Sequence, residues 1–220
     1  MRKFYITIEK GATMWPQLSW SHYRILITLD SINEIQYYSE ISIKNNLTVR
    51  ELSSKIKNKE YERLPEETKK KLINKEETKV NDLIKNPIII KNPNNIEVIQ
   101  EKILQKLILE NIPSFLKELG YGFTFIENEY KIKIGSTYNY IDLLLFNYEY
   151  NCFVVVELKI TELKKEHIGQ IQIYMNYINN NLKKITQDNT IGIIICKKDN
   201  KYIMEYCSDK IILSKEYELV

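Results

Sequence analysis

Asp142 lies in the apolar run Tyr140-Ile141-Asp142-Leu143-Leu144-Leu145-Phe146. Glu157 and Lys159 close a second run, Phe153-Val154-Val155-Val156-Glu157-Leu158-Lys159. Both runs read as strands buried on two faces, where an ionised carboxylate is costly unless something compensates it. A turn centred on Glu149-Tyr150 would join them in a hairpin whose paired positions sum to 299, which sets Asp142 opposite Glu157. Their Cβ atoms would then be about 4.5–5.5 Å apart. Two carboxylates at about 5 Å repel by roughly 3 kcal/mol at an effective dielectric near 20. Lys159, two residues beyond Glu157, projects to the same face and offsets part of that repulsion. A divalent cation would offset all of it, through oxygen ligands of the kind Mg²⁺ takes. The competing reading is a ladder of ion pairs at a strand edge, with Lys159 serving both acids. The apolar flanks, the opposed register and the shared face favour the metal site.

The helix expected over 163–182 adds polar groups. Ile168, Ile171, Met175, Ile178 and Leu182 form its core stripe, and Gln170 and Tyr174 are i,i+4 neighbours along one edge of it. Both side chains can hold a water or a phosphate oxygen, and both are equally suited to the margin of a core. His167 has no second histidine nearby and reads as a surface or capping residue.

The front of the chain carries a different chemistry. Residues 1–95 hold 17 basic and 12 acidic side chains, a balance of +5, whereas residues 96–220 hold 15 and 17, a balance of −2. A basic front half suits a polyanionic partner. Residues 19–64 read as helices. Ser31 with Glu34 offers a start signal, Asn45-Asn46 a stop, and Thr48-Val49-Arg50-Glu51 a capping box that opens a second helix over 49–63. Val49, Leu52 and Ile56 would face inward, leaving Arg50, Ser53, Ser54, Lys57 and Asn58 outside. Two helices joined by a tight turn suggest a helix-turn-helix. Arg50, Lys55 and Lys57, with the hydroxyls of Ser53 and Ser54, would meet DNA phosphates there. Any small helical bundle also has a polar outer face.

These elements belong to a chain of 220 residues, 44% hydrophobic and 28% charged, enough for one large domain or two small ones. No stretch approaches the roughly 18 apolar residues of a membrane helix. The opening, Met1-Arg2-Lys3-Phe4-Tyr5-Ile6-Thr7-Ile8-Glu9-Lys10, has no uninterrupted apolar segment, so no secretory signal and no membrane partner are expected. Cys152, Cys196 and Cys207 form no CxxC pair and read as reduced thiols of a cytoplasmic protein. Residues 65–95 read as a charged connector ending near Pro87 and Pro93, which predicts domains over 1–90 and 91–220. Beyond it come a helical stretch over 96–119 interrupted by Pro113, then strands over 123–127, 130–134, 138–146 and 152–159. The helix over 163–182 follows, then a strand over 191–196, a short helix over 202–206 and a last strand over 211–213. That order is a mixed α/β layer fold.

Asp142, fourteen intervening residues and Glu157-Leu158-Lys159 match the D…ExK signature of the PDDEXK nuclease superfamily, and Gln170-x-x-x-Tyr174 resembles its QxxxY element. Leu18-Ser19-Trp20-Ser21-His22-Tyr23, Thr48-Val49-Arg50-Glu51-Leu52, Tyr61-Glu62-Arg63-Leu64, Asp82-Leu83-Ile84-Lys85-Asn86-Pro87, the segment 115–123 and Gly169-Gln170 resemble the bacterial YhcG-type family. The resemblance implies an N-terminal helix-turn-helix or winged-helix-like domain, then a restriction-endonuclease-like PDDEXK core of order α-βββ-α-β. It implies a Mg²⁺-dependent DNA endonuclease, with Mn²⁺ as a substitute, acting in repair, recombination or defence against mobile elements. Asp142, Glu157 and the Leu158 carbonyl would hold the metal, Lys159 would orient water, and Gln170 and Tyr174 would position water or phosphate. Such folds often take a further acid from their first helix; here Gln105 stands at that place, with Glu101 a turn earlier and Glu110 later. Homodimerisation suits an enzyme that cuts both strands of a duplex. The alternative is a DNA-binding module that uses the same fold for docking or dimerisation without cleavage.

Overall fold

The computed structural model describes residues 16–207, 209 and 211–220; the opening segment 1–10 lies outside them. The chain divides into two compact units, Met1–Thr78 and Lys79–Val220.

In the first unit, helices α1 (Trp20–Leu26), α2 (Ile32–Lys44), α3 (Val49–Lys57) and α4 (Glu66–Asn74) enclose a core of Leu26, Ile35, Tyr37, Tyr38, Leu52, Tyr61 and Leu64. The turn between α2 and α3 passes through Asn46 in the left-handed conformation (φ 48°), which Asn tolerates better than most residues. The capping box of α3 forms: the Glu51 N–H donates to Thr48 Oγ1 at 3.2 Å, and the Thr48 N–H donates to Glu51 Oε2 at 3.0 Å. Helix α2 starts where the Ser31 signal places it, with Ser31 as its N-cap and Glu34 in its first turn, although the Ser31 side chain forms no cap hydrogen bond. Helix α3 ends six residues earlier than its periodicity suggests. Lys59 turns left-handed (φ 51°), and the Tyr61 N–H donates to the buried Tyr38 hydroxyl at 3.1 Å. A core contact thus draws the chain away from the helix axis.

The second unit opens with the short helix α5 (Val80–Leu83) and is a six-stranded sheet with helices on both faces. Its strands are β1 (Ile88–Ile90), β2 (Phe123–Ile134), β3 (Thr137–Asn147), β4 (Cys152–Glu162), β5 (Ile191–Lys198) and β6 (Ile212–Leu219). The spatial order is β1-β6-β5-β4-β3-β2. The pairs β1·β6, β6·β5 and β5·β4 are parallel, and β4·β3 and β3·β2 are antiparallel. Alternation along the strands sends Val154, Val156, Leu158, Ile193 and Ile195 to one core, with Leu104, Leu107 and Ile108 of α6 (Glu101–Glu110) and Phe115 and Leu119 of α7 (Ile112–Leu119). Leu144, Val155, Ile194 and Cys196 go to the other core, against Ile171, Met175 and Ile178 of α8 (Lys165–Asn181). Each such side chain contributes about 1.5–3 kcal/mol when fully buried.

Three expectations change. The boundary lies at 78/79 rather than 90/91, because Ile88-Ile89-Ile90 pairs with Tyr217-Glu218-Leu219 and adds a strand to the sheet. The two short strands over 123–127 and 130–134 are one, β2, interrupted by a bulge between Phe125 and Glu127 and by left-handed Glu129 (φ 51°). The last strand runs to Leu219 rather than stopping at 213, because its far end has β1 as a partner.

Helix α8 sits close to the sheet because Gly192 of β5 has no side chain. A Cβ at Gly192 would meet Met175 Sδ at 2.6 Å and Ile171 Cδ1 at 2.9 Å. Gly192→Val should therefore destabilise the unit by about 1–3 kcal/mol through overpacking. Urea denaturation of the two proteins checks this, and Gly192→Ala should fall between them.

Candidate active site

The β3·β4 ladder runs from Asn147↔Cys152 to Leu143↔Val156 and stops. These pairs keep the expected sum, so Asp142 and Glu157 are the next positions of the same register. Beyond them the strands part. β4 continues beside β5, while β3 continues beside β2 to the pair Ile134↔Thr137. Side chains fill the fork. Asp142 Oδ2 accepts the Leu158 N–H at 2.7 Å, and Gln105 of α6 donates to the Asp142 carbonyl at 3.2 Å. A residue in an extended strand sends its N–H and C=O to the same side, so the Leu158 carbonyl faces the same gap.

Glu157 is 2% exposed. Its Oε1 accepts from Lys159 Nζ at 2.9 Å, and its Oε2 is buried with no hydrogen-bond partner among the described residues. Glu101, at the start of α6, places Oε1 at 3.9 Å from Lys159 Nζ. Glu110 instead pairs with Lys106 on its own helix at 3.8 Å. On α8, Gln170 Nε2 donates to the hydroxyl of buried Tyr174 at 3.0 Å. That hydroxyl lies within the fields of Glu157, Asp142 and Lys159. His167 caps α8: its Nδ1 accepts the Lys164 N–H at 3.2 Å, and the ring is mostly buried. Glu129 is a neighbour that sequence reasoning missed. It stands between the pairs Asn128↔Leu143 and Tyr130↔Ile141, level with Asp142, and adds its charge to that of Glu101 on Asp142. Nothing in the residue type signals this, because its placement comes from a left-handed backbone that glutamate seldom adopts.

Residues 81–219 match the YhcG PDDEXK nuclease domain, and residues 1–63 match the DUF1016 N-terminal domain. The chain belongs to the YhcG PDDEXK nuclease family. It is 22% identical over 208 residues to "Putative nuclease YhcG" of Escherichia coli (strain K12), an alignment covering 90% of this chain and 56% of the relative. The chain thus spans little more than half the length of that curated relative. Among solved structures it is similar to a repair endonuclease from Pyrococcus abyssi, at 18% identity and TM-score 0.39 over 56% of this chain and 48% of the other. It is also similar to EndoMS in a complex with dsDNA, at 18% identity and TM-score 0.41 over 57% and 48%.

The family implies a divalent cation, and the fork fits one. The buried Glu157 carboxylate adjoins the half-buried Asp142, one of its oxygens has no hydrogen-bond partner among the described residues, and a carbonyl faces the same gap. Among the described residues no three His, Cys, Asp or Glu side chains converge on one point, since Glu101 reaches Lys159 instead. Two carboxylates, a carbonyl and waters suit Mg²⁺, which keeps several waters and binds through one or two carboxylates. Electrostatics point the same way. Burial, then the charge of Asp142, pushes Glu157 up to about 7, against the restraint of Lys159. Burial also raises Asp142, although the Leu158 N–H and Lys159 hold it down. Burial alone would lower Lys159, but Glu157, Glu101 and Asp142 together raise it.

The residues of α3 expected to meet DNA differ in exposure. Arg50, Ser53, Ser54 and Lys57 are exposed. Lys55 is half-buried and pairs with the buried Glu60 at 2.9 Å, so it holds the first unit together rather than facing a partner. Lys55→Gln should remove this ion pair from the buried Glu60 and cost about 1–3 kcal/mol, less than a fully buried pair, measured as a lower melting temperature.

The raised Glu157 fixes a pH dependence for the metal-free family member. A carboxyl that is harder to ionise when folded favours the native state below its unfolded pKa, near 4.5, and loses that contribution as pH rises through about 7. In EDTA, stability should therefore fall by a few kcal/mol between about pH 5 and pH 8. Glu157→Gln should flatten the slope, and so should added Mg²⁺ in the parent. Denaturation midpoints across that range test both.

Proposed function

We propose that the chain is a metal-dependent DNA endonuclease that hydrolyses phosphodiester bonds at the β3/β4 fork. The observation that carries this reading is Glu157 Oε2, which has no hydrogen-bond partner among the described residues and is buried beside Asp142, while Lys159, the cation that lies against Glu157, already serves Oε1. Mg²⁺, or Mn²⁺ in its place, would be held by Asp142, Glu157 and the Leu158 carbonyl. When bound it supplies Lewis acidity toward the scissile phosphate and toward water.

The rest falls to this chain's own side chains. Lys159 Nζ orients the attacking water and stabilises the negative charge that develops on the phosphate oxygens. Glu157 Oε1 holds that ammonium in place, and Glu101 is a second anchor on its far side. Gln170 and Tyr174, already bonded to each other, present an amide and a hydroxyl to water or to a phosphate oxygen. Water adds to phosphorus as the P–O ester bond breaks, and the leaving oxygen takes up a proton. In the first unit, α2 and α3 act as the helix-turn-helix, with Arg50, Ser53, Ser54 and Lys57 on DNA phosphates. Reduced thiols suit a cytoplasmic protein, and a homodimer would supply one site per strand of a duplex.

A plasmid-nicking assay with Mg²⁺, with Mn²⁺ and with EDTA tests the reading. Nicking should appear with either metal and vanish in EDTA. Asp142→Asn and Lys159→Ala should each slow it by about 10²–10³-fold, the usual loss when a group that stabilises developing charge is removed. Asp142→Asn retains an oxygen for the Leu158 N–H, so in EDTA it should be as stable as the parent or more so. DNA binding with no nicking in any metal would leave a docking module instead.

The double substitution Arg50→Gln, Lys57→Gln should weaken duplex binding and reduce the slope of log K against log salt by about 2. Lys55→Gln should leave that slope unchanged. A salt titration of binding separates Lys55 from the other two positions.

A further inference from the structure

Beyond the fork, β2 and β3 continue as a two-stranded arm over residues 130–134 and 137–141. The two faces of the arm differ. Ile132 and Ile141 are 1% and 0% exposed and pack into the core beneath α8. On the opposite face, Lys131 stands across from Tyr140 and Lys133 across from Tyr138. Tyr138 is 53% exposed and Tyr140 51%. The Lys131 ammonium sits 3.9 Å from the Tyr138 ring centroid, and the Lys133 ammonium 5.8 Å. From residue 130 to residue 141 the only charged side chains are these two lysines. The face is aromatic and uniformly positive, and it leads to a site rich in carboxylates.

We infer that this face is a track for a single-stranded segment of the DNA substrate, with bases stacked on Tyr138 and Tyr140 and phosphates paired with Lys131 and Lys133. The inference rests on the nuclease reading of the fork. Stacking rings beside cations are what a sequence-tolerant single-strand surface requires. Spacing selects the single strand over the duplex. Tyr138 and Tyr140 are two residues apart on one strand, about 6.7 Å. That is about twice the 3.4 Å between successive nucleotides of a duplex strand. Rings at this interval fit bases drawn apart along an extended strand. Asp142 follows Tyr140 by the same two residues, so the track runs into the fork.

The test uses the full chain in EDTA, where no cleavage interferes. Fluorescence anisotropy compares a labelled oligothymidylate with a blunt mixed-sequence duplex. Tyr138→Ala and Tyr140→Ala should each weaken oligothymidylate binding by about tenfold, the loss of one stacked base. Tyr138→Phe and Tyr140→Phe keep the ring and the packing, and should bind like the parent. The pair Lys131→Gln, Lys133→Gln should reduce the single-strand salt slope by about 1.4. Blunt-duplex binding should change by less than about twofold in all of them, since the track discriminates by base stacking. Alanine variants that bind oligothymidylate like the parent, or that lose single strand and duplex by the same factor, would overturn the proposal. The nicking assay keeps the two readings apart. A chain that nicks DNA while its alanine variants bind normally loses the track alone, and one that binds through the tyrosines without nicking loses the nuclease reading alone.

Discussion

Everything at the candidate site depends on where the β3·β4 ladder stops. Had it run one pair further, backbone hydrogen bonds would have closed Asp142 against Glu157. Instead the Asp142 carboxylate takes the Leu158 N–H at 2.7 Å, in place of a backbone acceptor. A hydrogen bond to a charged group is worth about 1.5–3 kcal/mol net, against about 1 for a neutral one. One strand can therefore leave without orphaning a buried donor. Gln105 does the complementary task for the Asp142 carbonyl. The helix residue that stands at the place where the family resemblance implies an acid thus secures the strand that carries Asp142.

The fork holds an electrostatic imbalance. Asp142 and Glu157 are both harder to ionise than ordinary carboxyls, chiefly because they are buried. Lys159 offsets part of this but serves only one oxygen of Glu157 closely, and Glu101 also draws on it. Removing an unfavourable charge would be simple for evolution if stability alone mattered, because a neutral amide at either position would relieve it. On the reading proposed above, a cation held between the buried Glu157 and the half-buried Asp142 would return on binding the stability forgone in its absence.

Much of this was legible in the sequence, and the failures share a cause. The apolar runs, the turn and the symmetry about it gave the register of β3 and β4, because a one-residue slip would turn every side chain to the wrong face. Thr48 and Glu51 declared their capping box, because its chemistry is local. What escaped was decided at a distance. Helix α3 ends early because the Tyr61 N–H reaches Tyr38. Ile88-Ile89-Ile90 is a strand because the far end of β6 has an open edge. Lys55 is structural because Glu60 is buried beside it. The choice between Glu101 and Glu110 turned on which end of α6 meets β4, which no helical period encodes.

The turn at Asp142 also decides what the arm shows to solvent. Leu143 packs in the core under α6 and α7, yet Ile141, two residues away on the same strand, packs in the core under α8. Residues two apart on a strand ordinarily share a face, so the strand reorients through Asp142. Its partner reorients with it, from Asn128 opposite Leu143 of the first core to Tyr130 opposite Ile141 of the second, because the ladder ties the two together. The left-handed Glu129 lies within that stretch, level with Asp142. A non-glycine residue in that conformation costs about 1–2 kcal/mol, which the burial of Ile132 and Ile141 readily offsets. With those two turned inward, alternation leaves Lys131, Lys133, Tyr138 and Tyr140 no choice but the outer face. One change of strand direction therefore frees the carboxylates at the fork and exposes the aromatic, positively charged face of the arm, and neither could be altered without the other.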